Sequence, residues 1–115
     1  IVDTAYEVFD KQDMNLTRDV EPLEEIVDEL SKELKRRHVN RLRSGECTIE
    51  MGFILTDLLT SLERIADHCS NISVCITQVR ENLYDTHSHL ENMKNEPDDS
   101  YYVRLEELQK EYVLP

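Results

Sequence analysis

Apolar residues recur along this chain at spacings of three and four between polar runs, and the pattern predicts helices throughout. Val2, Ala5, Val8 and Phe9 mark a short helix over residues 1–12, which stops at the polar run Asp10-Lys11-Gln12-Asp13. It reads as the end of a helix begun upstream. A second helix, 15–43, carries Val20, Leu23, Val27, Leu30 and Leu34 at spacings 3, 4, 3 and 4. Pro22 leaves two starts open, because proline is tolerated in a first turn but removes a hydrogen bond from a helix interior. Either Asp19 caps a helix that begins there, or the helix begins near Asn15 and kinks at Pro22; the second reading is adopted. Gly45 supplies the residue after the helix end, with Arg36, Arg37, Arg41 and Arg43 near the negative end of the dipole.

The third helix, 48–84, has the strongest pattern. Leu55, Leu58, Leu62, Ile65, Cys69, Ile72, Ile76, Val79 and Leu83 alternate spacings of 3 and 4 without a break, which predicts a straight bundle contact along a helix roughly 55 Å long. Leu59 and Ala66 widen the stripe. The polar stretch after Tyr84 reads as a frayed end and a loop, and Tyr101, Leu105, Leu108 and Tyr112 mark a last short helix over 99–112. The expected fold is all-α, an antiparallel bundle of two long and two short helices forming a single domain.

Composition narrows the function. The chain has 115 residues, 25 Asp and Glu against 13 Lys and Arg, and a net charge of -12, a poor surface for binding a phosphate backbone. No nucleic-acid partner is expected; a cation, a basic patch or a protein of mixed charge suits it better. Two glycines and three prolines are too few for the many tight turns of a sandwich or barrel. Cys47, Cys69 and Cys75 are odd in number and lack a Cys-x-x-Cys spacing, which points to reduced thiols in a cytosolic setting. No window approaches the roughly 20 apolar residues of a membrane helix. The opening at Ile1, already inside an apolar pattern, reads as a piece of a longer protein.

The two long helices share one acidic template. Leu23-Glu24-Glu25-Ile26-Val27-Asp28 and Leu62-Glu63-Arg64-Ile65-Ala66-Asp67 both read Leu-Glu-x-Ile-x-Asp. Each places two carboxylates at i and i+4, with Glu24 and Glu63 bordering the apolar seam and Asp28 and Asp67 on its open rim. Such like-charge pairs cost a few tenths of a kcal/mol, which a bound cation would offset. Four carboxylates on neighbouring helices are hard ligands for Mg²⁺, Mn²⁺ or Fe and, less typically, Zn²⁺, with His68 as a further nitrogen donor. On composition alone the commoner outcome is a solvated face with ordinary ion pairs to Lys32 and Arg64. His87-x-His89 is a weak metal signal beside a solvated reading. His38 belongs to a basic stretch, Lys32 to Arg43, that holds 6 of the 13 cations and suits a phosphate or an acidic partner.

No catalytic residues emerge, and no enzyme is expected. The chain lacks a glycine-rich phosphate loop and a Gly-x-Ser-x-Gly elbow. A di-iron bundle needs Glu-x-x-His on two helices, whereas Lys35, Ile65, Tyr84 and Thr86 stand three residues before the four histidines.

The run Leu62-Glu63-Arg64-Ile65-Ala66-Asp67-His68-Cys69-Ser70-Asn71-Ile72 strongly resembles the signature helix of PhoU domains, the helical repeats of phosphate signalling. Glu24 and Asp28 resemble the companion motif on the preceding helix of that repeat. Residues 37–48 and the ending Tyr112-Val113-Leu114-Pro115 resemble the cytoplasmic C-terminal region of bacterial sodium/phosphate symporters, where a PhoU-like tail follows the membrane domain. The resemblance covers most of residues 5–84.

It implies a PhoU-like three-helix repeat plus a short C-terminal helix, and a regulatory role in phosphate transport on the cytoplasmic face of the plasma membrane. It also implies a divalent or multinuclear metal held by Glu24, Asp28, Glu63 and Asp67. The implied partners are the membrane domain of its own transporter and either a second copy or a second PhoU repeat. Two features depart from the family: Ala66 stands where glycine is usual, and one repeat is present where a complete PhoU protein has two. The rival expectations are a stand-alone PhoU-type regulator and a metal-free helical module that binds a partner or itself through exposed seams.

Overall fold

A computed structural model describes residues 1–81 and 99–115 of the chain. Four helices make up these residues: α1 (Val2–Lys11), α2 (Met14–Arg43), α3 (Ile49–Glu81) and α4 (Asp99–Glu111). The fold is all-α. The expected continuation of the third helix to Leu83 and Tyr84, and the His87-x-His89 pair, lie outside the described residues.

Local chemistry sets the helix ends. Gln12 takes a left-handed conformation (φ 49°) to end α1, and the Asp13 carboxylate then accepts the Asn15 N–H at 2.9 Å to start α2. Of the two starts open in the sequence, the helix takes the earlier one and continues through Pro22. The ring costs α2 the N–H that would reach the Arg18 carbonyl, but Pro22 is fully buried, and its packing offsets the loss. At the far end Gly45 adopts φ 75°, its N–H donates to the Leu42 carbonyl at 3.2 Å, and the Glu46 N–H donates to the Arg41 carbonyl at 2.9 Å. This pair of bonds is a Schellman motif, which needs glycine at the left-handed position. Thr48 opens α3 by accepting the Met51 N–H on its hydroxyl at 3.3 Å.

α2 is the hub of the bundle, packing against α1, α3 and α4, while α1 also packs against α3. Three cross-contacts set the register of α2 and α3: the Ser73 hydroxyl donates to the Thr17 carbonyl, the Ser70 hydroxyl to the Glu21 carboxylate, and His38 lies against Gly52. The helices are therefore antiparallel. α4 runs parallel to α2, since Arg104 meets Asp19, Gln109 meets Glu29 and Arg37 meets the Pro115 carbonyl in ascending order. Ala5 and Val8 of α1, Val20 of α2 and Cys69 of α3 form the apolar core, with Ile1, Leu16 and Ile76 packed against it. Leu108 anchors α4 and is fully buried.

The face that α3 turns inward differs from the one its strongest pattern predicts. Leu59, Ala66, Ser70, Ser73 and Thr77 are buried and Glu63 is half-buried, at spacings 4, 3, 4, 3 and 4. This second seam is mostly small and polar. Of the described residues of the large apolar seam, Leu58, Leu62, Ile65, Ile72 and Val79 are exposed, Leu55 and Ile76 are half-buried, and only Cys69 is buried. The physical reason is the approach of α2, which brings His38, Ser31, Glu21 and Thr17 inward and leaves room only for small partners.

Candidate functional site

The antiparallel register places the two acidic motifs side by side, with Glu24 level with Ala66 and Asp28 level with Leu62. Their carboxylates nevertheless have separate environments. Asp28 pairs with Lys32 one turn along its own helix. Glu63 accepts a hydrogen bond from Lys35 of α2 at 2.7 Å, a partly buried ion pair that ties the two helices together. Glu24 is half-buried, whereas Asp67 and His68 are exposed.

The acidic side of α2 also meets α4. Burial first, then the negative charges of Glu25, Glu21 and Glu24, hold the Tyr101 phenol well above its usual pKa of 10.0. A phenol whose folded pKa is raised contributes fully below the unfolded value, and the contribution is lost as pH rises toward the folded one. Thermal melts should therefore fall above about pH 10. Tyr101→Phe is expected to reduce that alkaline loss, measured as the difference in Tm between the two chains at each pH.

The basic stretch is rearranged as well. His38 is not on the surface: it is buried, its Nε2 has no hydrogen-bond partner, and the ring packs on the bare backbone of Gly52. Arg36 and Arg37 both donate to Glu33, at 2.6 and 2.9 Å, and their bonds pull the Glu33 carboxyl down to about 2. Lys32, Lys35, Arg36 and Arg37 of this stretch are thus each paired with a carboxylate of the chain. Sequence patterning missed the buried Glu21–Ser70 bond at 2.7 Å, one turn before Glu24 and one turn after Ala66. The signal for it was Ser70's place seven residues after Glu63, on the same face of α3.

The family model for the PhoU domain matches residues 1–76, about two-thirds of the chain and all of α1, α2 and most of α3. The chain belongs to the PhoU family. Among curated relatives, it is 28% identical over 72 residues to the "Phosphate-specific transport system accessory protein PhoU homolog 1" of Thermotoga maritima (strain MSB8). That match covers 63% of this chain and 31% of the relative, so the chain corresponds to only part of the relative's length. No solved structure matches the chain significantly.

The resemblance implies a metal held by Glu24, Asp28, Glu63 and Asp67. Asp28 and Glu63 are neutralised by lysines, and among the described residues no three His, Cys, Asp or Glu side chains are grouped to hold an ion. Elemental analysis of the purified chain and of a Glu63→Ala/Asp67→Ala variant is expected to give equal metal content. Metal present in the first and lost in the second would restore the ligand role of these carboxylates.

Proposed function

We propose that this PhoU domain is a regulatory module controlling phosphate uptake, carried on the cytoplasmic face of the plasma membrane as the C-terminal region of a sodium/phosphate symporter. The observation that carries the regulatory part is the family match over residues 1–76, which spans both acidic helices. The described residues agree with a binding and coupling role: polar side chains at the α2–α3 contact are spent on joining helices rather than on a reaction centre. Among the described residues no helix is long and apolar enough to cross a membrane, so any transport path would be supplied by a partner domain. The symporter assignment rests on the resemblance of residues 37–48 and of the C-terminal Tyr112-Val113-Leu114-Pro115 to such tails.

A second reading, a stand-alone accessory regulator, is favoured by the printed name of the Thermotoga maritima relative. The coding sequence upstream of Ile1 separates the two. Several apolar stretches of about 20 residues are expected for the symporter, and their absence would favour the accessory protein. Regulation itself is tested by phosphate uptake in cells lacking this domain. Uptake is expected to stay high when external phosphate is abundant, and an unchanged uptake curve would overturn the regulatory role.

A further inference from the structure

Charge is spread unevenly along the bundle. Residues 31–54 hold six Lys and Arg against three Glu, a local balance of +3 in a chain of -12, while the rest of the chain carries seven cations and 22 carboxylates. Because α2 and α3 are antiparallel and joined by the short turn at Gly45, these residues form one end of a molecule 54 Å long. Arg41 and Arg43, the two cations nearest the turn, pair with no carboxylate among the described residues, unlike Lys32, Lys35, Arg36 and Arg37. The same end presents large apolar side chains to solvent. Ile49 and Phe53, one turn apart at the start of α3, are 66% and 69% exposed, and Val39 of α2 is 44% exposed. Phe53 lies roughly 140° around α3 from Leu58, so this patch is separate from the large apolar seam. Val39, Leu42 and Ile49 line an open groove between the two helices, together with Arg43.

We propose that this end of the bundle docks on the surface of an anionic lipid bilayer, with Ile49 and Phe53 entering the headgroup layer and Arg41 and Arg43 meeting the lipid phosphates. Exposed aromatic and aliphatic side chains beside cations hold a peripheral protein at such an interface, since the apolar groups gain by leaving water and the cations gain from the negative surface potential. A bilayer suits these residues better than a folded partner. They stand on two helices around a convex end, their shared groove is open rather than enclosed, and a soft, extended surface can receive all three apolar side chains at once. The net charge does not oppose docking in this orientation. Past Glu46 and Glu50 the next acid along α3 is Asp57, about 12 Å from Ile49 and beyond the roughly 8 Å over which exposed charges act at physiological ionic strength. The acidic remainder turns the basic end toward the membrane and keeps the other end off it. The inference stands whether the chain is a symporter tail or a stand-alone regulator, because lipid alone is the partner.

Flotation of the whole 115-residue chain with lipid vesicles tests it. Binding is expected to be at least tenfold stronger to vesicles containing phosphatidylglycerol than to pure phosphatidylcholine, and to weaken as salt is raised. Phe53→Ser, at an exposed position, is expected to weaken it about tenfold while circular dichroism shows the helices intact. Arg41→Glu/Arg43→Glu should abolish binding, whereas Lys11→Glu/Arg18→Glu, the same change in net charge at the opposite end, should leave most of it. The chain has no tryptophan, so Phe53→Trp provides a single reporter whose emission should shift to shorter wavelength on anionic vesicles. No binding to either vesicle would overturn the bilayer as partner and leave this end to an acidic protein. Equal losses from the two charge reversals, or an unshifted emission, would overturn the proposed orientation.

Discussion

Gly52→Val is expected to lower the stability of the bundle by about 2–3 kcal/mol, because a Cβ at this position would stand 2.6 Å from the Nε2 of His38. A Cβ does not tolerate a non-bonded contact that short, so the imidazole has to move. His38 is buried and has little free space to move into, so the strain passes to the α2–α3 contact. For a chain of this size the loss corresponds to a fall in Tm of roughly 10 °C or more. Gly52→Ala meets the same ring but gains up to about 1 kcal/mol of helix propensity, so its net effect is smaller. The cause is isolated by removing the ring. In a His38→Ala background Gly52→Val is expected to cost under about 1 kcal/mol, giving a coupling of 1–2 kcal/mol between the two positions. Additive losses would mean that glycine is needed there for some reason other than the close approach of His38.

That close approach also shows which parts of the structure could be read from the sequence. Helix positions were legible because apolar spacing, Asp13 and Gly45 mark them chemically: the expected 15–43 and 99–112 stand beside observed helices Met14–Arg43 and Asp99–Glu111. Pro22 was ambiguous because local rules allow either start, and the choice is made by tertiary burial of the ring. The inward face of α3 was not legible. Hydropathy ranks Leu58, Leu62 and Ile65 above Ser70, Ser73 and Thr77, yet the fold buries the second set and exposes the first. Small polar residues win that face because two helices that approach closely exclude large side chains, and their hydroxyls find acceptors there: Thr17 O for Ser73, Glu21 for Ser70 and Ser73 O for Thr77. The acidic template was visible as a repeat and the register places its two copies level, but the lysines that take up Asp28 and Glu63 were legible only as neighbours of opposite charge. Lys32 stands four residues from Asp28, whereas Lys35 reaches Glu63 only through the packing of two helices.

Ser70→Ala removes a single oxygen and is nevertheless expected to cost about 1.5–3 kcal/mol, the range for a hydrogen bond to a charged acceptor. The Ser70 hydroxyl donates to Glu21 at 2.7 Å, and both residues are 7% exposed. Without that donor a buried carboxylate is left with one bond fewer, which is more costly than the loss of the bond itself. The reverse change should be milder. In Glu21→Met the unbranched chain refills the space, and Ser70 is free to turn its hydroxyl to the Ala66 carbonyl one turn back, as Thr77 already does to Ser73 at 3.1 Å. The double variant Glu21→Met/Ser70→Ala then contains neither the charge nor the hydroxyl, and chemical denaturation should show it more stable than Ser70→Ala alone. This order, with the smallest single deletion the most harmful and the larger double change recovering stability, is what a buried carboxylate that accepts the Ser70 hydroxyl predicts. If the double variant is instead less stable than either single one, with the losses additive, the Glu21–Ser70 contact contributes packing alone, and α2 and α3 are held together by shape rather than by this bond.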